Sequence, residues 1–317
     1  MEALINSALF IFGIAALFLG GEGLVGGASR LARMFGIKPI VIGLTIVAFG
    51  TSAPEFVVCL IAAFKGSSDI VLGNIVGSNI SNIGLILGLS AIICTISIQL
   101  RLVKLEVPVM ILLSVILYAV SWRLGIGRLT GALLFLFLVI FTIYTYFAAG
   151  RESPEVMREY EEFFQNGRNS LWKQLAYIIL GLGGLVLGAH LVVDSAIFFA
   201  RMFGVSELII SISAVAIGTS LPELSTSVVA AYRKEPDIIV GNIIGSNIFN
   251  IGILGLVSLI QPIDVSPGLR RFEFPVMIFF SIIILPIMAT GLRVRRSEGI
   301  VLLVLYSVFI YMVFARY

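Results

Sequence analysis

Hydrophobic residues run along this chain in ten long blocks, each ended by a short polar or basic interruption. Apolar blocks of roughly 18 or more residues can cross the hydrocarbon core of a bilayer as helices. Five fall in the first half, at 3–26, 39–64, 69–94, 105–122 and 127–149. Five fall in the second, at 172–194, 207–232, 237–260, 273–291 and 298–316. The pattern predicts an all-α membrane protein of ten transmembrane helices, with five in 1–150 and five in 172–317. The connecting stretch RESPEVMREYEEFFQNGRNSL is charged and poor in aliphatics, so 151–171 reads as a solvated linker. The run 3–26 has no basic segment before it and is too long for the core of a signal peptide, which makes it the first span.

The two halves repeat each other. At a shift of 168 residues, ARMFGI (32–37) overlays ARMFGV (200–205), and AFGTSAPE (48–55) overlays AIGTSLPE (216–223). GNIVGSNISNIG (73–84) overlays GNIIGSNIFNIG (241–252), and KLEVPVM (104–110) overlays RFEFPVM (271–277) at a shift of 167. A repeat this long marks a duplicated helical unit. A unit that crosses five times ends on the far side, so the second unit must run inverted, an arrangement recurrent among transporters. With the N-terminus outside, 14 of the 21 Lys and Arg fall on the inner side and 7 on the outer. Both termini are therefore expected outside and the linker in the cytoplasm.

Composition agrees with a bilayer as solvent. Of 317 residues, 59% are hydrophobic and 12% charged, against about a quarter charged in a soluble domain. Cys59 and Cys94 both lie in apolar runs, which argues against a structural disulfide. The net charge of +3 gives no sign of nucleic-acid binding.

The chemistry sits where the repeat is strongest. Glu55 and Glu223 occupy equivalent places in the second span of each half, and a mid-span carboxylate costs at least about 2.5–3.5 kcal/mol. Inverted repeats bring equivalent positions together near the midplane, where two carboxylates must share protons or hold cations. Neither span contains a basic residue to pair with them. Pro54 offers no N–H to the Gly50 carbonyl, and Pro222 none to Gly218, so backbone oxygens are freed beside each acid. Thr51 shares a helix face with Glu55, and Thr219 with Glu223; Ser52 and Ser220 add hydroxyls. On the third span of each half, Asn74, Ser78 and Asn82 form a polar stripe, repeated by Asn242, Ser246 and Asn250. Gly73, Gly77, Gly241 and Gly245 are expected to let backbones approach closely there. All of these donors are oxygens, which suits hard cations such as Ca²⁺ and Na⁺. An empty site with two buried negative charges resists occlusion, whereas one Ca²⁺ or several monovalent ions neutralise it. That logic describes an exchanger.

At GTSAPE with GSNISN, and GTSLPE with GSNIFN, the chain resembles the sodium/calcium exchanger family of the cation/calcium antiporters, in the manner of a prokaryotic member. The resemblance runs through both halves. It implies two inverted five-helix repeats, with Glu55 and Glu223 as central Ca²⁺ ligands joined by the Thr51 and Thr219 carbonyls. It implies Na⁺ sites built from Ser52, Ser78, Ser220, Ser246 and the Ala48 and Ala216 carbonyls, with Asn82 and Asn250 lining the middle position. Potassium-dependent relatives carry Asp where this chain has Asn250, so the amide argues against K⁺ cotransport. The linker is too short for the calcium-sensing insert of animal exchangers.

The expected partners are Ca²⁺, Na⁺ and the lipid bilayer, with the transported ions as ligands, no further cofactor, and a monomer as the unit. Competing readings are an H⁺/Ca²⁺ exchanger in which the glutamates titrate, a passive cation channel, and an intramembrane hydrolase using the two acids as a dyad. The GTS pairs, the absence of a histidine in either motif and the lack of water-activation geometry weigh against the first and last. Several polar residues have blander expectations. Asn79 and Asn247 lie off the stripe and serve either freed backbone groups or ions. His190 makes interface-level helix contacts. Asp69 and Asp237 fit helix N-caps, and Glu106 and Glu273 fit solvated pairs with nearby bases.

Overall fold

A computed structural model describes residues 1–123, 126–148, 170–203 and 218–316, and in it the apolar runs are helical. In chain order they are α1 (Glu2–Met34), α2 (Pro39–Thr51), α3 (Ala53–Phe64), α4 (Ser68–Ile93), α5 (Leu102–Trp122) and α6 (Arg128–Phe147). The second half supplies α7 (Leu171–Met202), α8 (Leu221–Tyr232), α9 (Pro236–Ile260), α10 (Pro267–Ala289) and α11 (Arg296–Arg316). Among the described residues, eight helices are long and apolar enough to cross a bilayer, and α2 with α3, bent by 42°, make a ninth. The predicted span 207–232 is described only from Gly218 onward. Residues 204–217, with Ala216, and nearly all of the predicted linker lie outside the described residues.

Helix α1 runs further than the apolar block 3–26, because a helix can continue past the hydrocarbon edge once its Arg side chains reach water. It stops where Gly36 takes φ +62°, and the Ile37 N–H closes back onto the Ala32 carbonyl at 3.0 Å. α1 and α7 are 33 and 32 residues long and pack along each other. Small residues make this contact backbone to backbone: a Cβ on Gly181 would lie 2.6 Å from the Leu24 nitrogen.

α4 and α9 form the centre. Their most apolar stretches are 78% and 83% buried, against 17–39% for the other six unbroken spanning helices. The outer helices turn large side chains such as Ile11, Leu19, Leu133, Ile140 and Leu180 outward, as a lipid-facing surface requires. The polar stripes predicted on α4 and α9 are therefore enclosed by protein.

Contacts between the halves come in reciprocal pairs. The short strands β1 (Ile96–Ser97) and β2 (Arg293–Val294) pair antiparallel, Ile96 opposite Val294, and the bridge Ile126 to Ile263 is the counterpart formed by the equivalent positions. Ser114 and Ser281, which match each other in the repeat, meet at 3.4 Å. A residue that meets its own repeat counterpart lies close to a local two-fold axis.

Some expectations need correction. Glu106 does pair with Arg101, at 2.8 Å, but it is buried rather than solvated, because the first turn of α5 is packed under its neighbours. Asp69 and Asp237 stand within the first turns of α4 and α9, beyond the capping positions Ser67 and Glu235, and Asp237 accepts a hydrogen bond from Gln99 at 2.7 Å. They complement the helix dipoles from inside the turn. His190 is exposed on α7. Cys59 and Cys94 are free thiols.

A candidate ion-binding site

The second apolar run of the first half is not one straight helix, and the second half shows the same turn at Ser220, within the part described from Gly218 onward. Ser52 (φ −81°, ψ 4°) and Ser220 (φ −85°, ψ 0°) leave the helical path at the same point of the repeat. Pro54 and Pro222 follow in the first turn of α3 and α8, where a proline is tolerated because its missing N–H would be unbonded anyway. Glu55 and Glu223 then fall in those same first turns. The positive ends of two half-helices thus stand behind two carboxylates.

Both carboxylates are buried. The Ser52 hydroxyl donates to Glu223 Oε1 at 3.1 Å. The other three carboxylate oxygens, Glu55 Oε1 and Oε2 and Glu223 Oε2, have no hydrogen-bond partner among the described residues. Neither acid forms an ion pair among those residues. Ser78 and Thr219 flank Glu55, while Ser52 and Thr51 flank Glu223. Ser220 donates to Ser78 at 3.2 Å, and the buried Ser246 hydroxyl has no hydrogen-bond partner among the described residues. The four serines and two threonines named in the sequence are thus all buried beside the acids or on the stripes that face them.

The two stripes divide by turn. Asn74 and Asn242 are braces. The Thr51 hydroxyl donates to Asn242 Oδ1 and the Thr219 hydroxyl to Asn74 Oδ1, each at 3.0 Å. Their amide nitrogens donate to the Glu223 and Glu55 carbonyls, each at 3.4 Å, and also meet Ser227 Oγ at 3.0 Å and Cys59 Sγ at 3.3 Å. Each brace clamps the threonine of one half to the glutamate backbone of the other. Two turns further on, Asn82 and Asn250 are buried, and their Oδ1 atoms have no hydrogen-bond partner among the described residues. Asn82 sits at the start of a π-helical turn, 82–87. Such turns are frequent at functional positions.

Ala48 is buried on the last turn of α2, and its carbonyl accepts from the Ser52 N–H at 3.0 Å. The Thr51 hydroxyl also lies 3.4 Å from this carbonyl oxygen. Gly241 and Gly245 do bring backbones together: their Cβ atoms would lie 2.9 Å from Gly43 Cα and 2.7 Å from Ala48 Cβ. Nothing among the described residues lies within 4 Å of a Cβ on Gly73 or Gly77. Asn79 and Asn247, left open between two roles by the sequence, reach across to each other's backbone carbonyls at 3.3 Å. The sequence reading missed Ser227 and Cys59 as partners of the braces, and Met110 and Met277 beside Asn247 and Asn79. The two methionines carried a signal, since each closes the repeated segment KLEVPVM and RFEFPVM.

Two enclosed polar helices packed against the repeated GTS-x-PE turns, around two buried carboxylates, define a polytopic membrane protein with an oxygen-lined polar centre. A model of the sodium/calcium exchanger protein family matches residues 5–147 and again 173–315. The sodium/calcium exchanger MaX1 of Methanosarcina acetivorans is 32% identical over 345 residues, covering 98% of this chain and 99% of that protein. The inner membrane protein YrbG of Escherichia coli strain K12 is 36% identical over 295 residues, covering 88% of this chain and 87% of that one. A structure of the sodium-calcium exchanger NCX_Mj, soaked with 2.5 mM Na⁺ and 10 mM Sr²⁺, superposes with a TM-score of 0.85 at 32% identity over 98% of this chain and 99% of that chain. The chain belongs to the sodium/calcium exchanger family. That family is one of exchangers, not of enzymes.

Proposed function

We propose that this protein is a secondary antiporter that exchanges Na⁺ for Ca²⁺ by alternating access, with Glu55 and Glu223 holding the cations in turn. The observation that carries the reading is the pair of buried carboxylates with three oxygens unpartnered and no base beside them among the described residues. Two buried charges without a counter-charge are costly, and a site that is costly when empty favours moving only when loaded. One Ca²⁺ or several Na⁺ supply the missing charge through the same oxygens. Loading by one kind of ion therefore excludes the other.

In this reading Ca²⁺ is held by both carboxylates and by the Thr51 and Thr219 carbonyls. Na⁺ uses Ser52, Ser78, Ser220, Ser246 and the Ala48 and Ala216 carbonyls with the same acids, and Asn82 and Asn250 line the middle. The chain is a ten-helix pair of inverted repeats working as a monomer, with both termini outside and the linker in the cytoplasm. The ions are substrates, and no other cofactor is required. The reciprocal contacts between halves support the inverted arrangement, since alternating access follows when equivalent units exchange roles. The family model's second match, offset by the same 168 residues as the sequence repeat, supports it as well.

Reconstitution into vesicles tests this. Ca²⁺ uptake is expected to rise with an opposing Na⁺ gradient and to ignore K⁺. Uptake driven by a pH gradient alone, with Na⁺ absent, would favour H⁺/Ca²⁺ exchange instead, and flux without counterflow would favour a channel. Thr51→Val offers a finer check. It keeps the backbone carbonyl and removes only the hydroxyl that braces Asn242, so exchange should fall a few-fold, corresponding to about 1 kcal/mol. A loss as deep as that of a glutamate variant would mean that the hydroxyl itself is the ligand.

A further inference from the structure

Asn82 and Asn250 can serve a cation only if their amides present oxygen, not NH₂, and the two ends of an amide are nearly equal in size. Two other asparagines decide which end is presented. Asn247 Nδ2 donates to the Asn79 backbone carbonyl at 3.3 Å and faces Met110 Sδ at 3.5 Å. Asn79 Nδ2 donates to the Asn247 carbonyl at 3.3 Å and faces Met277 Sδ at 3.9 Å. A carbonyl oxygen and a thioether sulfur can only accept. If either amide were reversed, its oxygen would meet two acceptors with no proton between them, in a buried place where nothing compensates. The orientation of Asn79 and Asn247 is therefore fixed by the backbone.

That polarity propagates. Asn247 Oδ1, now only an acceptor, takes a hydrogen bond from Asn82 Nδ2 at 2.9 Å, and Asn79 Oδ1 takes one from Asn250 Nδ2 at 3.0 Å. With their donors held there, Asn82 and Asn250 leave Oδ1 buried and free of any hydrogen bond among the described residues. We propose that Asn79 and Asn247 are positioning residues, which transmit the fixed polarity of two backbone carbonyls to Asn82 and Asn250 and keep amide oxygens, not amide hydrogens, turned toward the bound cation. The inference rests on the reading above that Asn82 and Asn250 line the ion path. It explains why the GSN triplet carries its asparagine one residue off the ion-facing stripe in both halves. The off-stripe residue meets the opposite half, and its donor and acceptor ends are both used.

A double-mutant cycle on the full chain tests the relay, read as the half-saturating Na⁺ and Ca²⁺ concentrations of exchange in vesicles and of direct titration of purified protein with each ion. Asn247→Leu keeps the volume beside Met110 and removes the acceptor that holds Asn82. Cation affinity is expected to fall by about tenfold, the scale of one lost hydrogen-bonded orientation. In an Asn82→Asp background either carboxylate oxygen can meet the cation and the acceptor is no longer needed. There Asn247→Leu should change affinity by less than about twofold, or improve it. An equal penalty in both backgrounds would overturn the relay, since that is the behaviour of a residue that only packs helices. Should Asn247→Leu not give a monodisperse protein, the mirror cycle of Asn79→Leu with Asn250→Asp decides the same question by the reciprocal contact. An unsubstituted protein that binds neither Na⁺ nor Ca²⁺ would overturn the proposed function and the relay together. Cation binding with additive penalties overturns the relay alone.

Discussion

Glu55→Gln and Glu223→Gln should each abolish Na⁺-driven Ca²⁺ uptake while making the cation-free protein more resistant to heat. Glutamine keeps the size of the side chain and an oxygen that can accept, as Glu223 does from Ser52, so charge is what changes. The gross attraction between a divalent ion and one carboxylate at about 4 Å, in an effective dielectric of about 20, is about 8 kcal/mol. Dehydration of ion and ligand offsets most of it. If only about a quarter survives, one substitution still lowers Ca²⁺ affinity by about 30-fold, and an exchange cycle that needs both ions loses more. The opposite sign in stability follows from the same charge. Without ions the native site holds two buried carboxylates with three oxygens unpartnered among the described residues, and neutralising one relieves that cost. Thermal unfolding should therefore show a raised midpoint in chelator and a weakened rise on adding Ca²⁺, because a ligand that no longer binds the folded state cannot stabilise it. A variant that retains uptake, or is less stable in chelator with its Ca²⁺ response intact, would remove the glutamates from the ion site.

Gly241→Val should cost both fold and function. A Cβ at Gly241 meets Gly43 Cα, the Gly43 carbonyl carbon and the Ile40 carbonyl oxygen, each at 2.9 Å. These are backbone atoms, so no rotamer change relieves the contact, and α9 has to move away from α2. The Thr51 to Asn242 bond, at 3.0 Å one residue along, cannot survive that separation. Overpacking of this kind costs about 1–3 kcal/mol in stability, and uptake should fall at least about tenfold as the brace on Glu223 is lost with it. Gly183→Val is the control: Gly183 is exposed on α7, nothing among the described residues lies within 4 Å of its Cβ, and it should leave uptake near normal. Equal behaviour of the two variants would mean that the α2–α9 approach does not hold the site.

Much of this was legible beforehand because a bilayer leaves a chain few options. With no water to satisfy the backbone, long apolar runs must be helices, and among the described residues nine spans stand where hydropathy put them, with ends moved by up to eight residues where Arg side chains reach water. The break at Ser52 was legible too, since a proline with a free acceptor behind it and a carboxylate beside it is a local event. Burial was not. Glu106 looked like any acid at the end of a span beside a base, yet it is enclosed, because burial depends on what a neighbouring helix covers.

The sequence by itself determined the halves of the site: which turn breaks, which face carries oxygens, and that each feature occurs twice. Tertiary structure alone decided what each oxygen does. Asn74 and Asn82 stand on one face of one helix with the same side chain, yet the first spends its oxygen on Thr219 across the halves and the second keeps its own free of any hydrogen bond among the described residues. Their partners lie 145 and 165 residues away. Periodicity along a helix fixes the direction of a side chain, and only the crossing of two helices fixes whether a donor waits there.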